Sequence, residues 1–387
     1  MIRIEKFIPL SFSKLAIITC FIMTFVDLPW VGFFNKLKYL FMAIVFAYVI
    51  YNIRYLSGSN ELFKSSVFIF IFIVDAFVVS WLNFGEVETV VPVIHCVRFC
   101  GTILANFLLL IVLKNKGKID LLLSVFCKLF ILVCILADIT IVMGIKRDGY
   151  YIVGSKFAVA YIHLQMIVFL LASVKKLKPK TLFLVAMLLI ETMVINSFTG
   201  CATGLVGTVV FALFLILSFK EVIFINKPCI QIITLLVCAL FPFWYNLLLN
   251  SSFAQFFIVN ILHKDLNLTN RTIIYSKIPL LFGESTVWGY GISSNYEMCM
   301  RWGIPNIQNG ILKVLMETGA IGAVMIIGQY YSVFLKTRDT NTISIKAMSA
   351  YLLVMSILSS IEITIGFATL TLLMYNLILS NAEKEAG

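Results

Sequence analysis

The feature that most constrains this chain is a succession of apolar runs, each long enough for one bilayer crossing, broken once by a segment that no bilayer would hold comfortably. A spanning helix needs about 20 mostly apolar residues, and outside that segment there is room for about a dozen such helices. Composition agrees, with 61% of residues hydrophobic and 13% charged, where a soluble domain sits near one half and one quarter. The fold class read from this pattern is all-α: a polytopic membrane helix bundle of about twelve transmembrane helices with one large, partly helical extracytoplasmic loop.

The spans are expected at 10–28, 38–53, 63–81, 91–113, 119–144, 157–174, 181–197, 204–219, 229–249, 318–335, 345–361 and 363–380. The first run lacks a small-residue cleavage site and a polar mature domain behind it, so it is expected to remain a permanent helix. This divides the chain into nine helices over 1–249, the large loop over 250–317, and three more helices with a C-terminal tail over 318–387.

A net charge of +11 would suit nucleic acid if it formed one stripe, but the Lys and Arg lie in short clusters between apolar runs. Topology accounts for them better, and no nucleic-acid partner is expected. Basic residues concentrate in short cytoplasmic loops; placing the N-terminus inside puts most of the 30 Lys and Arg there. The large loop then faces outward and both termini are cytoplasmic. Two outer segments depart from this bias, the large loop and the run KRDGYYIVGSK at 146–156. Lys146, Arg147 and Lys156 on the disfavoured side suggest an anionic ligand, unless Asp148 and lipid headgroups simply balance them.

The second half of the large loop reads NRTIIYSKIPLLFGESTVWGYGISSNYEMCMRWGIPNIQNGILKVLMETGAIG from Asn270 to Gly322. Tyr275, Trp288, Tyr290, Tyr296 and Trp302 suit a folded cap that packs or stacks on a ligand. Asn270 can cap a short helix from Arg271 that Pro279 and Gly283 end. Gly289-Tyr290-Gly291 lets the backbone turn tightly and approach a ligand, and Pro305 with Asn306 marks a turn before Asn309 opens the last helix. Gln308 and Asn309 then sit at a helix start, where unpaired amide groups favour an anion. The plainer alternative is that Asn309 only caps its helix and Arg271 is a solvated charge.

Ionisable residues inside spans are costly and read as functional or paired. Asp75, Arg98, Asp138 and Glu191 fall in outer half-spans, with Glu362 at the outer end of the last helix, so a polar basin open to the outside is expected. Asp75 and Arg98 are expected to form a structural ion pair. His95, His163 and His263 are scattered and read as structural, and most of the nine cysteines are small core hydrophobes. Only Cys201 and Cys299 fall in outer loops, where a disulfide is conceivable. With no Walker loop, HExxH, GxSxG or DxD, neither a metal nor a cofactor is expected.

The layout of about twelve spans, a large outer loop before the last three helices, and IQNGILKVLMETGAIG closing that loop resembles the Wzy-type O-antigen and capsular polysaccharide polymerases, which share their pattern with the O-antigen ligases. By motif the likeness covers Arg271 to Gly322 and the 146–156 loop: Gly289-Tyr290-Gly291, then Asn309, then Glu317-Thr318-Gly319 with Gly322. The resemblance implies a GT-C-like membrane enzyme of the bacterial inner membrane. It would join oligosaccharide repeat units carried on undecaprenyl pyrophosphate at the outer face, beside a chain-length regulator protein in the same bilayer. Without a metal, a pyrophosphate leaving group has to be met by cations. That assigns Arg271 first, with Lys146, Arg147, Arg98 and Arg301 as helpers, because Arg offers phosphate a planar donor fork. The sugar chain would lie on Trp288, Tyr290 and Trp302. Where the family often has His before the motif Asn, this chain has Gln308, which cannot take a proton at neutral pH. Gln308 is therefore expected to orient the acceptor, and the base is left among Glu317, Glu284 and Glu297, if one is needed. A ligase handing glycan to a lipid acceptor, and a flippase for the same lipid-linked units, are the alternatives; transporters of this size commonly show repeated halves, and none is evident here.

Overall fold

The computed structural model describes residues 11–88, 90–221, 225–256, 259–260, 271–282 and 287–386. Asn270, Glu284 and His263 lie outside the described residues. Among those described, every regular element is a helix. Helices satisfy each backbone N–H and C=O within one segment, which is what a solvent without water demands.

The first nine helices are α1 (Phe12–Phe25), α2 (Phe34–Tyr51), α3 (Asn60–Ser65), α4 (Val67–Leu82), α5 (Pro92–Asn115), α6 (Ile119–Val142), α7 (Lys156–Ala172), α8 (Pro179–Phe198) and α9 (Ala202–Phe219). The remainder are α10 (Pro228–Ala239), α11 (Phe241–Leu249), α12 (Ser252–Phe256), α13 (Arg271–Phe282), α14 (Asn295–Arg301), α15 (Gly310–Thr337), α16 (Ile343–Leu358) and α17 (Phe367–Ala386). Six of them, α2, α5, α6, α8, α9 and α15, are long and apolar enough to cross a membrane, and α1, α4, α7, α10 and α16 are shorter apolar helices. The protein thus has the character of a multi-pass membrane helix bundle.

Local chemistry moves several boundaries. The expected span at 229–249 is two helices, because Pro242 has no N–H to continue α10 and sits instead in the first turn of α11. Within the cap, α13 runs through Pro279 for another turn, held by Ile278 and Leu281, which are buried on either side of the proline. Helix α14 is an element that the periodicity did not show. The last part of the large loop is already helix, since α15 starts at Gly310 and bends at Gly319, whose φ of 67° and ψ of −172° only glycine adopts readily.

Helices α16 and α17 form the centre. Residues such as Leu352, Val354, Leu372 and Met374 are fully enclosed, as expected of helices apolar on every side. Around Tyr375 of α17 the rings of Phe126 and Phe169 pack at centroid distances of 5.8 and 5.9 Å. The cap has a smaller core of its own, built from Tyr245, Tyr275, Ile278, Met298, Ile307 and Met316.

Two glycines join cap to bundle. Tyr290 N–H donates to the Met316 carbonyl at 2.9 Å, Gly291 N–H to Glu317 at 2.8 Å, and Ala320 N–H returns to Val287 at 3.1 Å. At Gly289 an added Cβ would meet the Gly319 nitrogen at 2.5 Å, and at Gly319 it would meet the Val287 oxygen at 2.0 Å. At the Gly289-Tyr290-Gly291 turn the backbone thus closely approaches α15. No disulfide is present among the described cysteines: Cys201 and Cys299 are buried and free. Cys201 accepts from Gly204 N–H, while Cys299 is enclosed in the cap core.

Candidate functional site

At the cap end of the bundle, the C-terminal end of α1 and the N-terminal turns of α2, α5, α7, α15 and α17 surround a cavity of about 420 Å³. Its polar lining includes Asp27, Asn35, Lys38, His95, Arg98 and Lys313, and its apolar walls include Phe25, Phe99, Ile162 and Phe367. Helix starts carry partial positive charge, and the lining side chains add Lys38, Arg98 and Lys313 against the single carboxylate of Asp27. A volume of this order holds a small ligand, and its charge selects an anion.

Each cation is held in place. Lys38 is only 6% exposed; its Nζ lies 3.4 Å from Asp27 Oδ1 and above the rings of Phe34 and Phe367. Arg98 donates to Asn35 Oδ1 at 3.0 Å. Lys313 Nζ is 2.9 Å from Glu317 Oε2, and the Glu317 side chain is 3% exposed. Of the residues that the sequence nominates, Arg98 alone lines the cavity. Lys38 and Lys313 were missed because a lone Lys at a helix start carries no pattern that separates it from a topology charge.

The other nominated residues lie elsewhere. Arg271 donates to the Ile361 carbonyl at 3.0 Å, so it fastens α13 to the α16–α17 connection. There Glu362 has its carboxyl pushed up by burial and drawn back down by Arg271 and Lys156. Lys146 and Arg147 are exposed; two tight turns pair Arg147 with Tyr150 and Tyr151 with Gly154, and Arg147 faces its neighbour Asp148 at 3.7 Å. Asp148 thus sits beside one of the three cations of that loop. Arg301 pairs with Glu297 at 2.9 Å and donates to the Glu86 carbonyl, a tie between cap and α4–α5 connection. Trp288 is 61% and Trp302 37% exposed, and Tyr290 packs on the cap core.

At the start of α15, protein groups take most of the free backbone donors. Asn309 Oδ1 accepts from Leu312 N–H at 3.0 Å, its Nδ2 donates to the Cys238 carbonyl at 3.0 Å, and Gly310 N–H is taken by Ser359 at 2.8 Å. Asn309 is fully buried and serves as a cap. Asn309→Ala should lower stability by about 1–2 kcal/mol, and Asn309→Ser, which also caps, should recover part of it; thermal melts of the purified variants measure both. Gln308 holds a positive φ of 46° after an Asn306 side-chain turn, and its Oε1 is buried without a partner.

The expected single polar basin is dispersed. Arg98 faces the cavity, and Asp75 packs against α15, with one oxygen 2.9 Å from where a Cβ on Gly322 would stand. Asp75 and Arg98 form no ion pair, since the polar contact of Arg98 is with Asn35 and Asp75 Oδ2 is buried without a partner. Asp138 and Glu191 instead meet at His163. Of the bases considered, Glu297 is bound to Arg301 and Glu317 to Lys313; His95 and Asp27 are the proton acceptors that line the cavity. No protein-family model matches the chain, and neither does any curated protein or solved structure.

Proposed function

We propose that this is a lipid-linked polysaccharide polymerase. It would be a glycosyltransferase with about twelve spans and both termini in the cytoplasm, working at the outer face of a bacterial inner membrane. The observation that carries this reading is the basic cavity beneath the cap, where Lys38, Arg98 and Lys313 converge between apolar walls. A diphosphate on a polyprenyl tail has that chemistry: oxygens for a guanidinium fork and ammonium groups, and an isoprenoid for Phe25, Phe99 and Phe367.

In this reading the donor's diphosphate binds at Lys38 and Arg98, which stabilise the negative charge that grows as the glycosyl bond to phosphate breaks. An acceptor hydroxyl enters from the cap side and loses its proton to His95, an imidazole that lines the cavity beside Arg98. Asp27 holds Lys38 in place. Arg271 and Gln308, the residues first suggested by the resemblance, become positioning residues for the cap. The sugar chain is assigned to Trp288 and Trp302 on the cap surface.

The test is polymerisation in proteoliposomes supplied with an undecaprenyl-diphosphate-linked oligosaccharide repeat. Wild-type protein should give a glycan ladder, and Arg98→Gln should lower its rate by about 100-fold or more, the usual cost of removing a donor to developing charge. A ladder of normal rate from Arg98→Gln and Lys38→Gln would rule out the cavity as the donor site. A wild-type protein that moves the lipid across the bilayer and makes no glycosidic bond would rule out the enzyme reading in favour of transport.

A further inference from the structure

On the side of α7 away from the cavity, α6, α7 and α8 bring Asp138, His163 and Glu191 together, with ligating atoms all within 4.8 Å of one another. His163 has no exposed surface. Its Nε2 lies 3.0 Å from Asp138 Oδ1 and 3.5 Å from Glu191 Oε1. Its Nδ1 is 2.7 Å from the Val159 carbonyl; a carbonyl only accepts, so Nδ1 carries a proton and Nε2 is the nitrogen offered to the carboxylates. Metal-binding histidines are commonly fixed by such a bond from the other ring nitrogen. Glu191 adds an independent sign, because its Oε2 is buried without a hydrogen-bond partner.

We propose that Asp138, His163 and Glu191 form a site for one divalent cation of the zinc type, bound by Nε2 and one oxygen from each carboxylate. Bonds of about 2.0–2.2 Å place neighbouring ligand atoms about 3.0 Å apart at right angles and about 3.4 Å apart in a tetrahedron. The two separations at Nε2 fall at those values. Charge points the same way: once the imidazole gives up its Nε2 proton to act as a ligand, it and the two carboxylates sum to −2, which a divalent cation cancels, in a setting where uncompensated charge is costly. One nitrogen and two carboxylate oxygens suit zinc or manganese better than the all-oxygen shell that calcium and magnesium prefer. Side-chain exposures of 22% for Asp138 and 34% for Glu191 leave one face open for the ion and a water ligand. The ion fastens α7 between α6 and α8, and the opposite face of α7 presents Tyr161, Ile162 and Gln165 to the basic cavity. This assignment is independent of the polymerase reading.

The test uses the full chain, purified with a chelator, incubated with about 100 µM zinc chloride and desalted, then assayed for zinc per chain and for Tm. Wild-type protein should keep about one zinc per chain and melt several degrees higher than without it. The isosteric, neutral double variant Asp138→Asn with Glu191→Gln should keep under about a tenth as much and show no zinc-dependent shift. His163→Ala should behave likewise, and the double variant decides the matter if His163→Ala fails to fold. Equal zinc in wild type and double variant, or none in either, overturns the site. So does a wild-type Tm that follows pH and ignores zinc, the outcome for a triad holding protons only.

Discussion

Gly319→Ala should detach the cap from the bundle. The residue combines φ of 67° with ψ of −172°, a conformation that costs a non-glycine residue about 1–3 kcal/mol. Its new Cβ would also stand 2.0 Å from the Val287 oxygen and 2.6 Å from the Val287 carbonyl carbon. Those are backbone atoms that no rotamer change can move aside, so overpacking adds about 1–3 kcal/mol. The three backbone hydrogen bonds that dock 287–291 on 316–320 are lost together. The measurement is tryptic cleavage of the cap at Lys277 and Arg301 in purified protein, alongside the fraction monodisperse after heating. Cleavage should accelerate markedly in Gly319→Ala and stay at the wild-type rate in Gly32→Ala, where an added Cβ meets nothing within 4 Å. Equal cleavage in both would show that the docking is not rigid.

Lys313→Met should be nearly as damaging by another route, and part of the damage should be reversible. Glu317 is 2% exposed and its ion partner is Lys313 at 2.9 Å. Breaking a buried pair from one side leaves a carboxylate without water or cation, at about 3–5 kcal/mol. Adding Glu317→Gln removes the stranded charge, so the double variant should regain most of the lost Tm. If single and double variants melt alike, the pair is not the buried unit that its geometry describes. Under the proposed function, ligand binding separates from stability here: the double variant lacks one cation of the cavity and should remain impaired in binding a diphosphate even where it is stable.

Hydrophobic runs made the bundle legible, because burial in lipid and burial in a core demand the same apolar helices. Boundaries were legible where local chemistry acts alone: Asn309 caps α15 as its residue type suggests, and the Asn306 side chain makes the expected turn. What the sequence hid was lateral. Whether Asp138 faces Arg98 or His163 depends on the rotation of α6 about its axis, which an all-round apolar helix does not record. Lys38 and Lys313 looked like topology charges because their shared cavity joins helix starts 275 residues apart in numbering, a pairing that no local pattern records. Arg271 shows the opposite case: a basic residue in a motif-bearing loop suggests a ligand, and the contact it makes here is with the Ile361 carbonyl of the α16–α17 connection.

The bend at Gly319 has a consequence for how the molecule comes apart. Helix α15, kinked at Gly319, carries the cap's backbone contacts around its first third. Past the bend it packs along α4, and Gln329 ties it to Ser65 and Ile69. Heat or denaturant that loosens either end therefore acts on a shared lever, and a single cooperative melt is expected in place of a separate early loss of the lid.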